Sequence, residues 1–147
     1  MIAAMKQPAG ATSLEPYRPW FYVAAIYNLA WGALAILYPS LLFDLLDIEE
    51  PNYLPIWQVV GMFVLVFAPA YWWAGRFPDR YANLIVIGAL GKLLGPIGFA
   101  WAVVFADFPL IFGLIIVTND LIWYPAFGAY LRAASRQLGW RRLLLGE

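Results

Sequence analysis

Apolar positions along the chain gather in four long runs, residues 20–38, 54–73, 81–105 and 109–131, with only a few polar residues inside them and short polar breaks between. A helix needs about 20 such residues to cross a hydrocarbon core of about 30 Å. None of the runs alternates apolar and polar with the period of two that a barrel strand requires, and lipid tolerates only helices or closed barrels. The pattern therefore predicts four membrane-spanning helices. Aromatic residues mark the ends of the runs, with Trp20 and Tyr22, Tyr38, Tyr53 and Trp57, Tyr71 to Trp73, Tyr81 and Trp101 forming an interfacial belt. The breaks at 75–80 and 106–108 are short. The longer one, 39–53, opens on Pro39-Ser40 and predicts a short interfacial helix over residues 41–46.

Together these features predict an all-α integral membrane four-helix bundle with antiparallel up-down topology. Residues 1–18 read as a flexible N-terminal arm, 19–131 as the four-span domain and 132–147 as a basic amphipathic tail. Ala33-Leu34-Ala35 resembles a signal-peptide cleavage site, but the apolar stretch runs on to Tyr38 and contains Asn28 and Trp31. The first run is therefore expected to remain as a span.

Composition sharpens this picture. The chain is 64% hydrophobic and 12% charged, whereas a soluble domain carries about 25% charge. It has no Cys and no His, which excludes thiol chemistry, zinc hydrolysis, catalytic triads and the usual haem ligand. No glycine-rich phosphate loop precedes a helix, and a net charge of zero offers nucleic acid nothing. No cofactor or metal is expected. The acidic loop, with Asp44, Asp47, Glu49 and Glu50, has no calcium-loop frame.

The basic residues Lys6, Arg18, Arg76, Arg80, Arg132, Arg136, Arg141 and Arg142 all fall in segments that would share one side, facing none in residues 39–53 and 106–108. By the positive-inside rule both termini are cytoplasmic. The expected partners are the bilayer, with anionic lipid at the tail, and a larger membrane complex or a homo-oligomer.

Lys92 and Asp120 carry the chemical interest. Each lies eleven residues into its span, or about 16 Å at 1.5 Å per residue, so both are expected near the bilayer midplane. An isolated charge there costs about 2.5–3.5 kcal/mol to insert, which predicts a Lys92–Asp120 contact. Lys92 shares a stripe with Gly88, Gly91, Gly95 and Gly98, a spacing that lets a neighbouring helix approach closely. Asp120 shares one with Gly113, Ile116, Trp123 and Phe127, with Asn119 beside it, and Asn28 shares one with Ala24, Gly32 and Ala35. Pro96, Pro125 and Pro69 remove the bonds that would satisfy the carbonyls of Lys92, Leu121 and Leu65, and each freed carbonyl needs another donor. The expected site is a polar pocket of Lys92, Asp120, Asn119 and Asn28, with Trp31 and Trp123 deep enough to line it. Asn28 and Gln58 are expected to hydrogen-bond between helices.

The segments Tyr27-Asn28-Leu29-Ala30-Trp31-Gly32, Lys92-Leu93-Leu94-Gly95-Pro96-Ile97-Gly98-Phe99 and Thr118-Asn119-Asp120-Leu121-Ile122-Trp123 resemble those of small bacterial four-helix membrane proteins. The layout over residues 18–131 is similar to the DoxX-like group. That resemblance implies a bacterial inner-membrane protein with an accessory role in a respiratory or redox complex. The EXPERA sterol-isomerase group also builds acidic pockets in small bundles, but Asp120 is the one deep carboxylate here.

Two functional readings stay open. One is a non-catalytic accessory or small-ligand-binding protein. The other is an enzyme or transporter for a lipophilic substrate, in which Asp120 takes up a proton and Lys92 positions an anionic or carbonyl group. Against both stands a purely structural lock between the third and fourth spans.

Overall fold

The computed structural model describes residues 13–146, and these form helices with no strand. A single turn of 3-10 helix, Glu15–Tyr17, leads into α1 (Arg18–Leu37), and Pro19 sits in its first turn, where a missing N–H does no harm. The short helix α2 (Leu41–Leu46) closes on Asp47, whose left-handed backbone (φ 52°) turns the chain towards α3 (Leu54–Arg76). α4 (Ala82–Phe105) runs through Gly95-Pro96 without interruption. Four helical stretches, Glu15–Leu37, Leu54–Arg76, Ala82–Phe105 and Leu110–Leu138, are long and apolar enough to cross a membrane.

The fourth stretch departs from the single helix expected over residues 109–131. It is assembled from a 3-10 turn (Leu110–Phe112), α5 (Gly113–Asn119), a second 3-10 turn (Leu121–Trp123) and α6 (Tyr124–Leu138). The break falls at Asp120 (φ −121°, ψ −60°), outside helical geometry. Pro125 explains where the chain can resume: it has no N–H to give Leu121, so that carbonyl accepts instead from the N–H of Tyr124 in a tighter turn.

The two ends also differ from expectation. Residues 1–12 of the expected arm lie outside the described residues, but Leu14 is buried and Arg18 donates from Nε to the Gly75 carbonyl at 2.8 Å. The expected tail at 132–147 begins as the continuation of α6. Gly139, at φ 81°, then allows α7 (Trp140–Leu145) to fold back against α4 with Leu143 fully buried. Arg132, Arg136, Arg141 and Arg142 stay exposed.

Many interior positions are small, and most of the large aliphatic residues are exposed. Ala24, Ala25, Ala68, Ala74, Ala82 and Ala134 are buried, whereas Ile26, Phe63, Val66, Leu94, Ile97 and Trp101 are exposed. That inversion suits a molecule solvated by lipid, where close backbone approach and hydrogen bonds hold helices together. α1 and α3 are the tightest pair. A methyl group at Gly32 would stand 2.8 Å from the Gly61 carbonyl oxygen, and one at Gly61 would stand 2.8 Å from Ala35 Cβ. Gln58 Nε2 also donates to the Ile36 carbonyl at 2.8 Å across this pair. Edge-to-face rings fill the end near Arg18, with Phe21 against Phe127 and Tyr130, and Tyr71 against Phe127. α3 meets α4 much more sparsely than it meets α1, which leaves a gap between them.

Candidate functional site

The gap between α3 and α4 is a cavity of about 260 Å³. Its polar wall holds Asn28 from α1, Lys92 from α4, and Asn119 and Asp120 from the break in the fourth stretch. Lys92 and Asp120 are each 5% exposed and Asn28 is 3% exposed. Opposite lie Val64, Phe67 and Tyr71 of α3, and the exposed Val60, Phe63 and Gly91 form the mouth on the flank of the molecule.

The break explains the placement of the charges. In a continuous helix the Asn119 carbonyl would accept from the Trp123 N–H, but that N–H bonds the Asp120 carbonyl at 3.2 Å instead. Lys92 Nζ takes the place left open and donates to the Asn119 carbonyl at 2.5 Å. The ammonium stands 3.9 Å from Asp120 Oδ1, beyond the 2.7–2.9 Å of a close charge-assisted bond. Its second contact is the Trp123 ring, whose centroid is 5.6 Å away. Asp120 Oδ1 accepts from Asn119 Nδ2 at 3.1 Å. The other carboxylate oxygen, Oδ2, lies over Gly95, where any side chain would strike it.

Pro96 leaves the Lys92 carbonyl without its helical donor, and the Tyr124 hydroxyl supplies one at 3.0 Å. Asn28 Nδ2 donates to the Val64 carbonyl at 3.1 Å. Both amide groups of the site are thereby oriented with their NH2 engaged. Their oxygens, Asn28 Oδ1 and Asn119 Oδ1, are buried without a partner, as is Trp123 Nε1. Buried polar atoms in this condition are uncommon and call for an explanation.

Four of the six residues expected in the pocket line this cavity: Lys92, Asp120, Asn119 and Asn28. Trp123 stands behind them, buried, with its ring between Lys92 and Tyr27. Trp31 does not reach the cavity. It packs on Trp57 at 5.6 Å between ring centroids and lines a separate apolar cleft with Leu34, Leu41 and Leu45. Its place at the edge of the Asn28 stripe turns it towards α2. The glycine stripe also divides. Gly88 lies against the Tyr71 hydroxyl and Gly95 against Asp120, while a Cβ at Gly91 or Gly98 would meet nothing. Tyr124 and Tyr71 belong to the site and were not foreseen. The signal for Tyr124 was Pro96, which announces a carbonyl in need of a donor without saying which residue supplies it.

No family model, curated protein or solved structure matches this chain.

The chemistry open to the site follows from its own groups. No set of three His, Cys, Asp or Glu side chains comes together among the described residues, so they offer no ready metal-binding cluster. What the cavity presents is an ammonium with N–H bonds to spare, a carboxylate with open lone pairs, and an aromatic and aliphatic wall. Groups of that kind have the chemistry to hold a small molecule through hydrogen bonds at one end and apolar contact along the rest.

Proposed function

We propose that this protein is a multi-pass protein of the bacterial cytoplasmic membrane that binds a small lipophilic molecule at mid-membrane, in a non-catalytic accessory role. Its four spans run antiparallel, both termini face the cytoplasm, and the acidic loop that carries α2 faces outwards. The reading rests on one observation: a cavity of about 260 Å³ with four buried polar side chains on one wall and its mouth on the apolar flank. Depositing Lys92 and Asp120 side by side in lipid is costly unless something beyond packing is gained. The eight-to-none distribution of basic residues between the two sets of loops supports the orientation, and the DoxX-like layout supports the accessory role.

A second reading has its own support. Lys92 Nζ caps the Asn119 carbonyl at 2.5 Å, which alone would suit a pair whose whole role is to lock α4 to the broken fourth stretch. Replacing both charges with apolar residues of similar volume, as Lys92→Met with Asp120→Leu, separates the two. The full-length protein and the double variant are purified and their organic extracts compared. A small molecule held in near-stoichiometric amount by the parent and absent from a folded double variant supports a binding site. Identical extracts from two equally stable proteins would leave the lock as the whole explanation.

A further inference from the structure

The distance between the two charges, and what lies beyond the cavity, narrow the class of ligand. This inference rests on the binding reading above and deepens it. An ammonium and a carboxylate 3.9 Å apart are too far for a direct hydrogen bond, yet one oxygen atom can sit about 2.8 Å from both. Such an oxygen must accept from Lys92 and donate to Asp120. A hydroxyl does both. A ketone or ether only accepts, so it leaves the carboxylate unserved. A carboxylic acid that ionises adds a charge to a pair whose sum is zero, and in a medium of low dielectric an uncompensated charge is heavily penalised.

The apolar part has a path as well. Val60 lines the mouth of the polar cavity and also the wall of a second cavity of about 390 Å³, formed by Ile56 and Trp57 of α3 and Tyr53 just before it, with Phe43, Phe108 and Phe112. The two hollows thus adjoin along one face of α3. From Val64 beside Asn28 to Tyr53 is eleven residues, or about 16 Å along the helix.

We infer that the ligand is a long-chain lipophile with a single neutral hydroxyl head, held with that hydroxyl between Lys92 and Asp120 and its chain laid past Val60 into the aromatic hollow around Trp57. It reaches the site sideways from the lipid, between α3 and α4, through the opening at Phe63 and Gly91. A chain moving from lipid to this groove gains little, because lipid tails are as apolar as the groove. Selectivity therefore comes from the head, where an unmade hydrogen bond costs most.

The test uses the full-length protein in lipid nanodiscs and hexadecanol carrying a photoactivatable diazirine near the end of its chain. Labelling is expected in the peptides containing Tyr53, Trp57 or Phe112. Unlabelled hexadecanol should compete at least ten-fold better than hexadecanoic acid, the methyl ether or hexadecane. Gly91→Leu, which narrows the mouth from a position where an added Cβ has open space, should cut labelling at least ten-fold. Gly98→Leu, equally unhindered and away from the cavity, should leave it unchanged.

If all four competitors act alike while Lys92→Met with Asp120→Leu still abolishes labelling, the hydroxyl class is wrong and the binding site remains. Labelling outside the Trp57 hollow, with competition preserved, overturns the path of the chain. Equal labelling of the parent, Gly91→Leu and the double variant removes both the class and the site. Should the double variant fail to fold, Gly91→Leu alone makes that last comparison.

Discussion

Tyr124 shows how the polar site is held together at the scale of single residues. Its hydroxyl serves the Lys92 carbonyl that Pro96 cannot serve. Tyr124→Phe removes the donor and leaves a buried acceptor open, a loss of about 1–3 kcal/mol. Pro96→Ala returns an N–H one turn along the helix. The double variant Tyr124→Phe with Pro96→Ala should therefore recover most of that loss, as read by thermal unfolding in detergent. The charges behave in the same coupled way. Lys92→Met or Asp120→Leu alone strands a buried charge at a cost of about 3–5 kcal/mol, whereas the two together should be far less destabilising than the sum of the singles.

The convergence of Lys92, Asp120, Asn119 and Asn28 was legible in the sequence, because burying such groups in lipid leaves them few solutions other than one another. Tyr124 was not. A tyrosine in an apolar run reads as an interfacial ring, and only the fold shows whose carbonyl it meets. Trp31 lies away from the cavity for a related reason: depth and helix face fix where a side chain starts, not which neighbour it meets.

At the scale of elements, the decisive departure is the fourth stretch, broken at Asp120 where an unbroken helix was expected. The signals were present as Asn119-Asp120 followed by Pro125, but such residues do not by themselves end a helix, as α3 and α4 run unbroken through Pro69 and Pro96. The break became decipherable only through Lys92, which satisfies the carbonyl it exposes. Glycines divide in the same manner. Periodicity placed Gly88, Gly91, Gly95 and Gly98 on one stripe, yet sequence cannot tell which face a neighbour and which face open space. Gly32→Val should disrupt the α1–α3 pair, since the added carbons meet backbone that cannot yield. Gly91→Ala and Gly98→Ala should leave the melting temperature unchanged or slightly raised, because a better helix former is added where nothing is in the way. Comparison of the three melting temperatures in detergent checks both statements.

For the molecule as a whole, the absence of cysteine makes the proposed orientation directly measurable. Single cysteines at Glu49 and Arg136, both exposed, provide one probe for each side. In intact cells a membrane-impermeant maleimide should modify Glu49→Cys at once and Arg136→Cys only after permeabilisation. The reverse pattern would invert the topology. The four long apolar helices were readable because lipid would impose one length on every crossing. The fold-back of α7, with Leu143 buried against the bundle, was hidden because a basic amphipathic segment looks the same whether it rests on lipid or on protein.

One further consequence follows from the packing behind Lys92. Of the eight tryptophans only Trp123 is buried, and its ring lies 5.6 Å from the Lys92 nitrogen. An indole's excited state carries a large dipole, so its emission colour is sensitive to local electric fields. Trp123 is thus a built-in optical gauge, and its spectrum should change whenever the charge beside it is screened, moved or neutralised.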